Sequence, residues 1–339
     1  MKKDTEVNMM HGAGGEVMGE LLTTLTAFKN NNAGGIGLES LDDGSTFEIG
    51  GKTVVLTTDS HVVKPLFFPG GDIGRIAVSG TINDLSVMGA RPIALTCAMV
   101  IEEGFKIEDL EKIVASMDEA LGECGAAIIT GDTKVVEKGS LDGIAINTAG
   151  VGVIDEYIIR DKNLKAGDKI IVSGTLGDHG MAIVAAREGF DLGEQLKSDV
   201  APLYTMIRDA MKAAGKDNIH AMKDPTRGGF AACINEMARK AGVKVVVHEE
   251  LVPIRESVAS AGALLGIDPL QVANEGKCVM GVAPEAADKV VAALRATKYG
   301  KNACVIGEVV EGSGVVMATR IGGERFIEPP LGDPVPRVC

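Results

Sequence analysis

Hydrophobic positions along the chain follow two periods, one for strands and one for helices. Residues 53–58, Thr-Val-Val-Leu-Thr-Thr, run almost unbroken to Asp59, the pattern of a buried strand. From 72 to 88 the apolar residues Ile73, Ile76, Ala77, Leu85 and Met88 return at helical spacing. Residues 93–101 read as a second strand. The clearest helix covers 107–123, where Ile107, Leu110, Ile113, Val114, Met117 and Leu121 form one stripe and Gly125 ends it. Strands follow at 126–130, leading into Gly131-Asp132-Thr133, and at 144–154.

A polar stretch, 155–168, separates this series from a second one. The second has a strand at 169–173 and helices from 180 to 187, 201–214 and 228–241. Further strands fall at 243–248, 277–282, 303–309 and 314–318. This alternation predicts an α/β or α+β fold in two domains, 1–158 and 159–327. The halves share a coarse element order without a sequence repeat of fixed period. Residues 328–339 differ from both. Pro329, Pro330, Pro334 and Pro336 exclude a helix and favour extended backbone. At about 3.1 Å per residue, the stretch after Pro330 reaches roughly 28 Å, enough to enter a cleft or a neighbouring subunit.

The length, 339 residues, suits two domains that each bury a core. Aromatics are 3% of the chain and Trp is absent, so those cores must be aliphatic. The net charge of −13, with no Lys/Arg cluster, argues against a nucleic-acid surface. No apolar stretch follows the charged start and none reaches membrane-spanning length, so a cytoplasmic protein without a membrane partner is expected. None of the six cysteines forms a CxxC pair. Five read as buried thiols. Cys339 stands apart, at the end of the polar, proline-rich tail.

Candidate chemistry is spread along the chain. His11-Gly12-Ala13-Gly14-Gly15 is a glycine loop of the kind that offers backbone N–H groups to phosphate, though it lacks the ending of a Walker A loop. Asp43, Asp59, Asp84, Asp132 and Asp224 fall in turns or at strand ends, with Asn83 beside Asp84. Any one of them is explained by a helix cap or an Asx-turn. Brought together, they would repel unless a divalent cation such as magnesium held them near nucleotide phosphates. Lys134 follows Asp132-Thr133 and is either a solvated lysine or a charge for a transferring phosphoryl group. Arg227, before Gly228-Gly229, suits an anion. Glu275, in Asn274-Glu275-Gly276-Lys277, is a candidate base or an exposed turn carboxylate. The histidines show no metal-pair spacing, and His179 reads as a surface or core residue.

Taken together, Asp42-Asp43, Thr58-Asp59, Asn83-Asp84 with Met88-Gly-Ala-Arg-Pro92, Gly131-Asp132-Thr133 and Asp224-Pro-Thr-Arg-Gly-Gly229 resemble the PurM-type ATP-binding superfamily over essentially the whole chain. The glycine loop at 11–15 and the ending Pro336-Arg337-Val338-Cys339 resemble, within it, the HypE family of hydrogenase maturation factors, which are carbamoyl dehydratases. There the chain commonly ends Pro-Arg-Ile-Cys. The resemblance implies a two-domain PurM-like fold whose N-terminal domain dimerises through its sheet, with a flexible C-terminal tail at 328–339. It implies ATP and Mg2+ as cofactors. His11, Gly12, Gly14, Gly15, Asp59, Asn83, Asp84, Gly131, Thr133, Asp224 and Arg227 are expected at ATP, and Asp43, Asp59, Asp84, Asp132 and Asp224 at metal. Cys339 would carry a carbamoyl group loaded by the carbamoyltransferase HypF. ATP would then drive its dehydration to a thiocyanate, with Lys134 and Glu275 as catalytic groups. The cyano group would pass to iron on a HypC–HypD scaffold, for nickel–iron hydrogenase. Two other readings stay open on the residues alone: a small-molecule synthetase or kinase with a passive tail, and a nucleotide-binding thiol carrier that does no chemistry.

Overall fold

The computed structural model describes residues 6–12, 15–189, 195–332 and 334–339. The first domain contains α1 (Gly15–Leu25), β1 (Ser45–Ile49), β2 (Lys52–His61), short β3 (Phe67–Phe68) and β4 (Gly71–Asp72), and α2 (Ile73–Val87). It continues with β5 (Ala90–Glu102), α3 (Ile107–Cys124), β6 (Ala127–Val136) and β7 (Ile144–Ile154). Five strands form one sheet in the order β1-β2-β7-β5-β6, antiparallel except for the parallel β5–β6 pair. Along β2 the side chains alternate: Val55, Thr57 and His61 are buried, while Leu56, Thr58 and Ser60 are exposed. The buried face packs against α2, with α3 beside it. The opposite face is open and carries exposed Leu56, Ile93, Ile129 and Val151.

α2 starts where it does because Asp72 caps it. The Asp72 carboxylate accepts from the N–H groups of Gly74 at 2.7 Å and Arg75 at 3.2 Å. α3 stops at Gly125, whose φ of 72° few other residues tolerate.

The second domain holds β8 (Lys169–Val172), α4 (Asp178–Arg187), α5 (Tyr204–Ala214), β9 (Ile219–Lys223), α6 (Gly229–Ala241), β10 (Lys244–His248) and α7 (Glu256–Leu265). It ends with β11 (Val279–Val282), α8 (Pro284–Arg295), β12 (Cys304–Val310), β13 (Gly314–Ala318) and β14 (Glu324–Phe326). Its sheet runs β14-β13-β10-β12-β8-β11-β9. A largely aliphatic core under α6, with Phe230 its one aromatic among the described residues, fills one side, and a second core, under α5 and α8, fills the other. A further core joins the domains, with Ile73, Ile76 and Ile113 packed in one cluster with Met181, Ile183 and Val184.

Three sequence expectations change. The strand expected at 126–130 runs on to Val136, because a parallel ladder with β5 continues through Gly131 and Lys134. The helix expected from 201 begins at Tyr204, after Pro202. The described residues of the tail have no regular structure, yet they are seated. Val335 and Val338 are buried in the core that joins the domains. Val62 N–H donates to the terminal oxygen of Cys339 (3.1 Å) and Lys64 N–H to the Arg337 carbonyl (3.2 Å), so the tail runs antiparallel to residues 62–64. Arg187 also donates to the Arg337 carbonyl, and the Arg337 side chain pairs with Asp142 at 2.9 Å.

Candidate active site

A cavity of about 1350 Å³ lies between the domains. α1, β2 and the loop at 41–45 line it from the first domain; α6 and the loop at 223–227 line it from the second. Glu275 and Cys339 also lie on its wall.

Asp43, Asp84 and Asp224 converge here, each with one oxygen within 4.8 Å of the others. They come from three elements. Asp84 sits on α2, where the Thr57 hydroxyl of β2 approaches its Oδ2 at 2.8 Å and the Asp43 carbonyl at 2.9 Å. Asp43 lies just before β1 and is gripped by the half-buried Lys223 at the end of β9. Asp224 follows Lys223 directly and is buried, and its Oδ2 has no hydrogen-bond partner among the described residues. Burial, and then the charges of Asp224, Asp59 and Asp43, push the Asp84 pKa well above the carboxylate range. Burial is also the main reason Asp224 rises to about 7. Three crowded carboxylates with an unpartnered buried oxygen are what a hard divalent cation requires, so the residues fit magnesium.

Asp59 was expected at the rim of the sheet. It lies within β2, two residues short of the strand end, and faces α2 at Gly80. A Cβ at residue 80 would come within 3.0 Å of Asp59 Oδ2, so the glycine makes room for this carboxylate. Asp59 still lines the cavity, 3.6 Å from the buried His61. Arg227 is exposed to the cavity, and the nearby charge of Cys339 raises its pKa above the ordinary arginine value. Gly228 and Gly229, at φ 75° and 62°, turn the chain from Arg227 into α6.

Glu275 is buried, and its Oε1 has no hydrogen-bond partner among the described residues. Burial, followed by the charges of Asp224, Asp59 and Asp199, raises its pKa well above the usual value. Its backbone is held firmly. Asp199 accepts from Glu275 N–H (3.2 Å), from the Asn274 amide (2.8 Å) and from the Lys277 ammonium (2.9 Å). Gly276 is needed here, since a Cβ would fall 1.8 Å from the Asp199 carbonyl oxygen.

Other candidates fall elsewhere. Asn83 is buried and spends its amide on backbone: it donates toward the Ala201 (3.1 Å) and Glu275 (3.3 Å) carbonyls and accepts from Leu203 N–H (2.8 Å). It braces the second domain against α2 and is not on the cavity wall. Gly131, Asp132, Thr133 and Lys134 lie on β6, exposed and outside the cavity of their own chain. Lys134 pairs with its neighbour Asp132 at 2.6 Å. His11 is buried, with Nδ1 3.0 Å from Asn8 Oδ1. Gly14 lies outside the described residues. Gly15 opens α1, and the residues of that helix that reach the cavity are Met18, Gly19, Leu22 and Thr23. Sequence reasoning overlooked Lys223 and Thr57. Lys223 was within view, immediately before Asp224, but a lysine next to an aspartate in sequence does not announce that it will hold a different aspartate.

Two family models match the chain in succession: AIR synthase related protein, N-terminal domain, over residues 41–154, and its C-terminal domain over 165–319. The paired domains and the acidic cleft between them place the chain in this AIR-synthase-related, PurM-like class. Carbamoyl dehydratase HypE of Rhizobium leguminosarum bv. viciae is 46% identical over 338 residues, covering 98% of this chain and 95% of that protein. The chain belongs to the carbamoyl dehydratase HypE family. A solved HypE–HypF complex matches with a TM-score of 0.85 and 45% identity, over 93% of this chain and 100% of that one. A HypE structure in complex with ATP matches with a TM-score of 0.82 and 38% identity, over 98% of this chain and 100% of the other.

Proposed function

We propose that this chain dehydrates a carbamoyl group carried on its own Cys339, using ATP, to give S-cyanocysteine for the iron of nickel–iron hydrogenase. The observation that carries the reading is the seat of the tail: Cys339 reaches the same cavity as the three clustered carboxylates and Glu275.

The overall change converts a primary amide, S–C(=O)–NH2, into S–C≡N. The carbamoyl oxygen takes the γ-phosphoryl group of ATP, leaving ADP. Phosphate then departs with that oxygen as two N–H protons are lost. Asp43, Asp84 and Asp224 would hold magnesium, with Asp59 close by. When bound, magnesium offsets charge on the nucleotide phosphates. Glu275, buried with a raised proton affinity and a free oxygen, is suited to take an N–H proton. Arg227 stands beside Cys339 and offers a cation to the phosphoryl group or the chain terminus. A substrate tethered to the chain meets these groups at high effective concentration.

Asp132 and Lys134 enter through a homodimer. Leu56, Thr58 and Ala149 line the cavity at the open face of the first sheet. A second copy packed on that face would border the cavity, and its exposed Gly131–Lys134 segment would supply the missing contacts. Loading by HypF and delivery to a HypC–HypD scaffold complete the reading. The test is Cys339→Ala: loss of cyanide delivery with ATP binding retained is expected, and delivery that survives the substitution rules the reading out.

A further inference from the structure

His179, in the first turn of α4, takes no part in the chemistry above. It is fully buried, with its ring edge-on to Phe68 at 5.4 Å and 84°. Its Nε2 stands 2.7 Å from the Val338 carbonyl oxygen and its Nδ1 2.7 Å from the Ser198 hydroxyl. The partners assign the protons. A carbonyl oxygen only accepts, so Nε2 carries the hydrogen. Ser198 Oγ already accepts from Val200 N–H at 3.1 Å, which leaves its own hydrogen for Nδ1. Burial keeps the ring neutral by lowering its pKa.

We propose that His179 is a positioning residue for the dehydration, aiming Cys339 into the cavity by donating Nε2–H to the Val338 carbonyl. The proposal rests on the reading that Cys339 carries the reacting group. Attachment of the tail has other sources: the buried Val335 and Val338, Arg187, and the pairing with residues 62–64. His179 acts on the last peptide unit, one residue before the thiol. Ser198 and Asp199 are neighbours in sequence. One hydroxyl holds the histidine that directs Cys339, and the next carboxylate holds the backbone of Glu275. Carrier and base are thus set from one short segment.

The experiment uses the full-length chain with Cys304→Ser, because Cys97, Cys124, Cys233 and Cys278 are buried and Cys304 is not. Two quantities are read: the alkylation rate of Cys339 by iodoacetamide, and the single-turnover loss of water from carbamoylated Cys339 by intact mass. His179→Asn keeps a polar group where Nδ1 stood but nothing at Nε2. His179→Gln restores a donor at the Nε2 position. The Asn variant is expected to alkylate faster and dehydrate more slowly, each by roughly five- to tenfold, the worth of one hydrogen bond. The Gln variant is expected to stay close to the parent, with equal ATP affinity in all three. Asn and Gln variants that behave alike, whether both unimpaired or both impaired, overturn the proposal. If the Asn variant folds poorly, Ser198→Ala frees the ring tautomer and should move both rates the same way by less; unchanged rates there also overturn it. A parent that alkylates normally but never loses water refutes the functional reading, and the alkylation comparison still judges His179.

Discussion

Glu275 is the residue whose surroundings depart furthest from its sequence context. Between Asn274 and Gly276 it reads either as a candidate base or as an exposed turn carboxylate. In the fold it is buried, one oxygen has no hydrogen-bond partner among the described residues, and burial with three neighbouring carboxylates raises its pKa well above the usual value. A base must be ionised to act, so a raised pKa means that activity falls as pH drops through that raised value and is regained above it. The single-turnover rate of dehydration should therefore rise with pH across a range where an ordinary glutamate is already fully ionised. Glu275→Gln should lower that rate by about 100-fold or more, as expected for loss of a general base, and flatten the pH dependence, while ATP binding persists. The clustered aspartates were legible because each sits in a short polar motif between apolar runs. Lys223 and Thr57 were not, because their roles depend on which strands become neighbours.

At the level of elements, α2 matters most. It covers the first sheet, carries Asp84 to the cavity and, through Asn83, braces the second domain. Its start depends on the Asp72 carboxylate. Asp72→Ala should destabilise the protein by about 1 kcal/mol, the usual worth of such a cap, measured as a lowered midpoint of urea unfolding. Magnesium affinity should weaken with it, because the cap fixes the helix that bears Asp84. The strongly periodic elements, α2, α3 and the longer strands, were legible from their apolar spacing. α7 was not, since its Ser, Ala and Gly content blurs any stripe. α8 does carry helix signals in the sequence: Pro284 at its first turn, and Ala286, Ala287, Val290 and Leu294 at helical spacing. β6 outran its expected end because pairing with β5 overrode the turn chemistry of Gly131-Asp132.

For the whole molecule, the open face of the first sheet and the seated tail set the terms. Exposed Leu56, Ile93, Ile129 and Val151 on one sheet face form an apolar patch of the kind that marks an association surface. Ile129→Lys with Val151→Asp should convert a dimer to a monomer in light scattering and strongly reduce ATP hydrolysis, since Asp132 and Lys134 then reach no cavity. A dimer that persists with full activity would place the interface elsewhere. The tail shows where sequence legibility stops. Its prolines forecast the lack of helix, and that is what forms. They say nothing about docking, which depends on Val335 and Val338 finding a core built by residues from both domains.

In the proposed function, Cys339 is the site of a covalent substrate transformed by the cavity beside it. Intact mass of the full-length protein, after incubation with HypF and its carbamoyl donor system, with and without ATP, tests this most directly. The carbamoyl adduct should lose one water only when ATP is present, with both adduct and loss mapping to Cys339. An adduct that keeps its water while ATP is consumed, or a modification mapping to another residue, would contradict it.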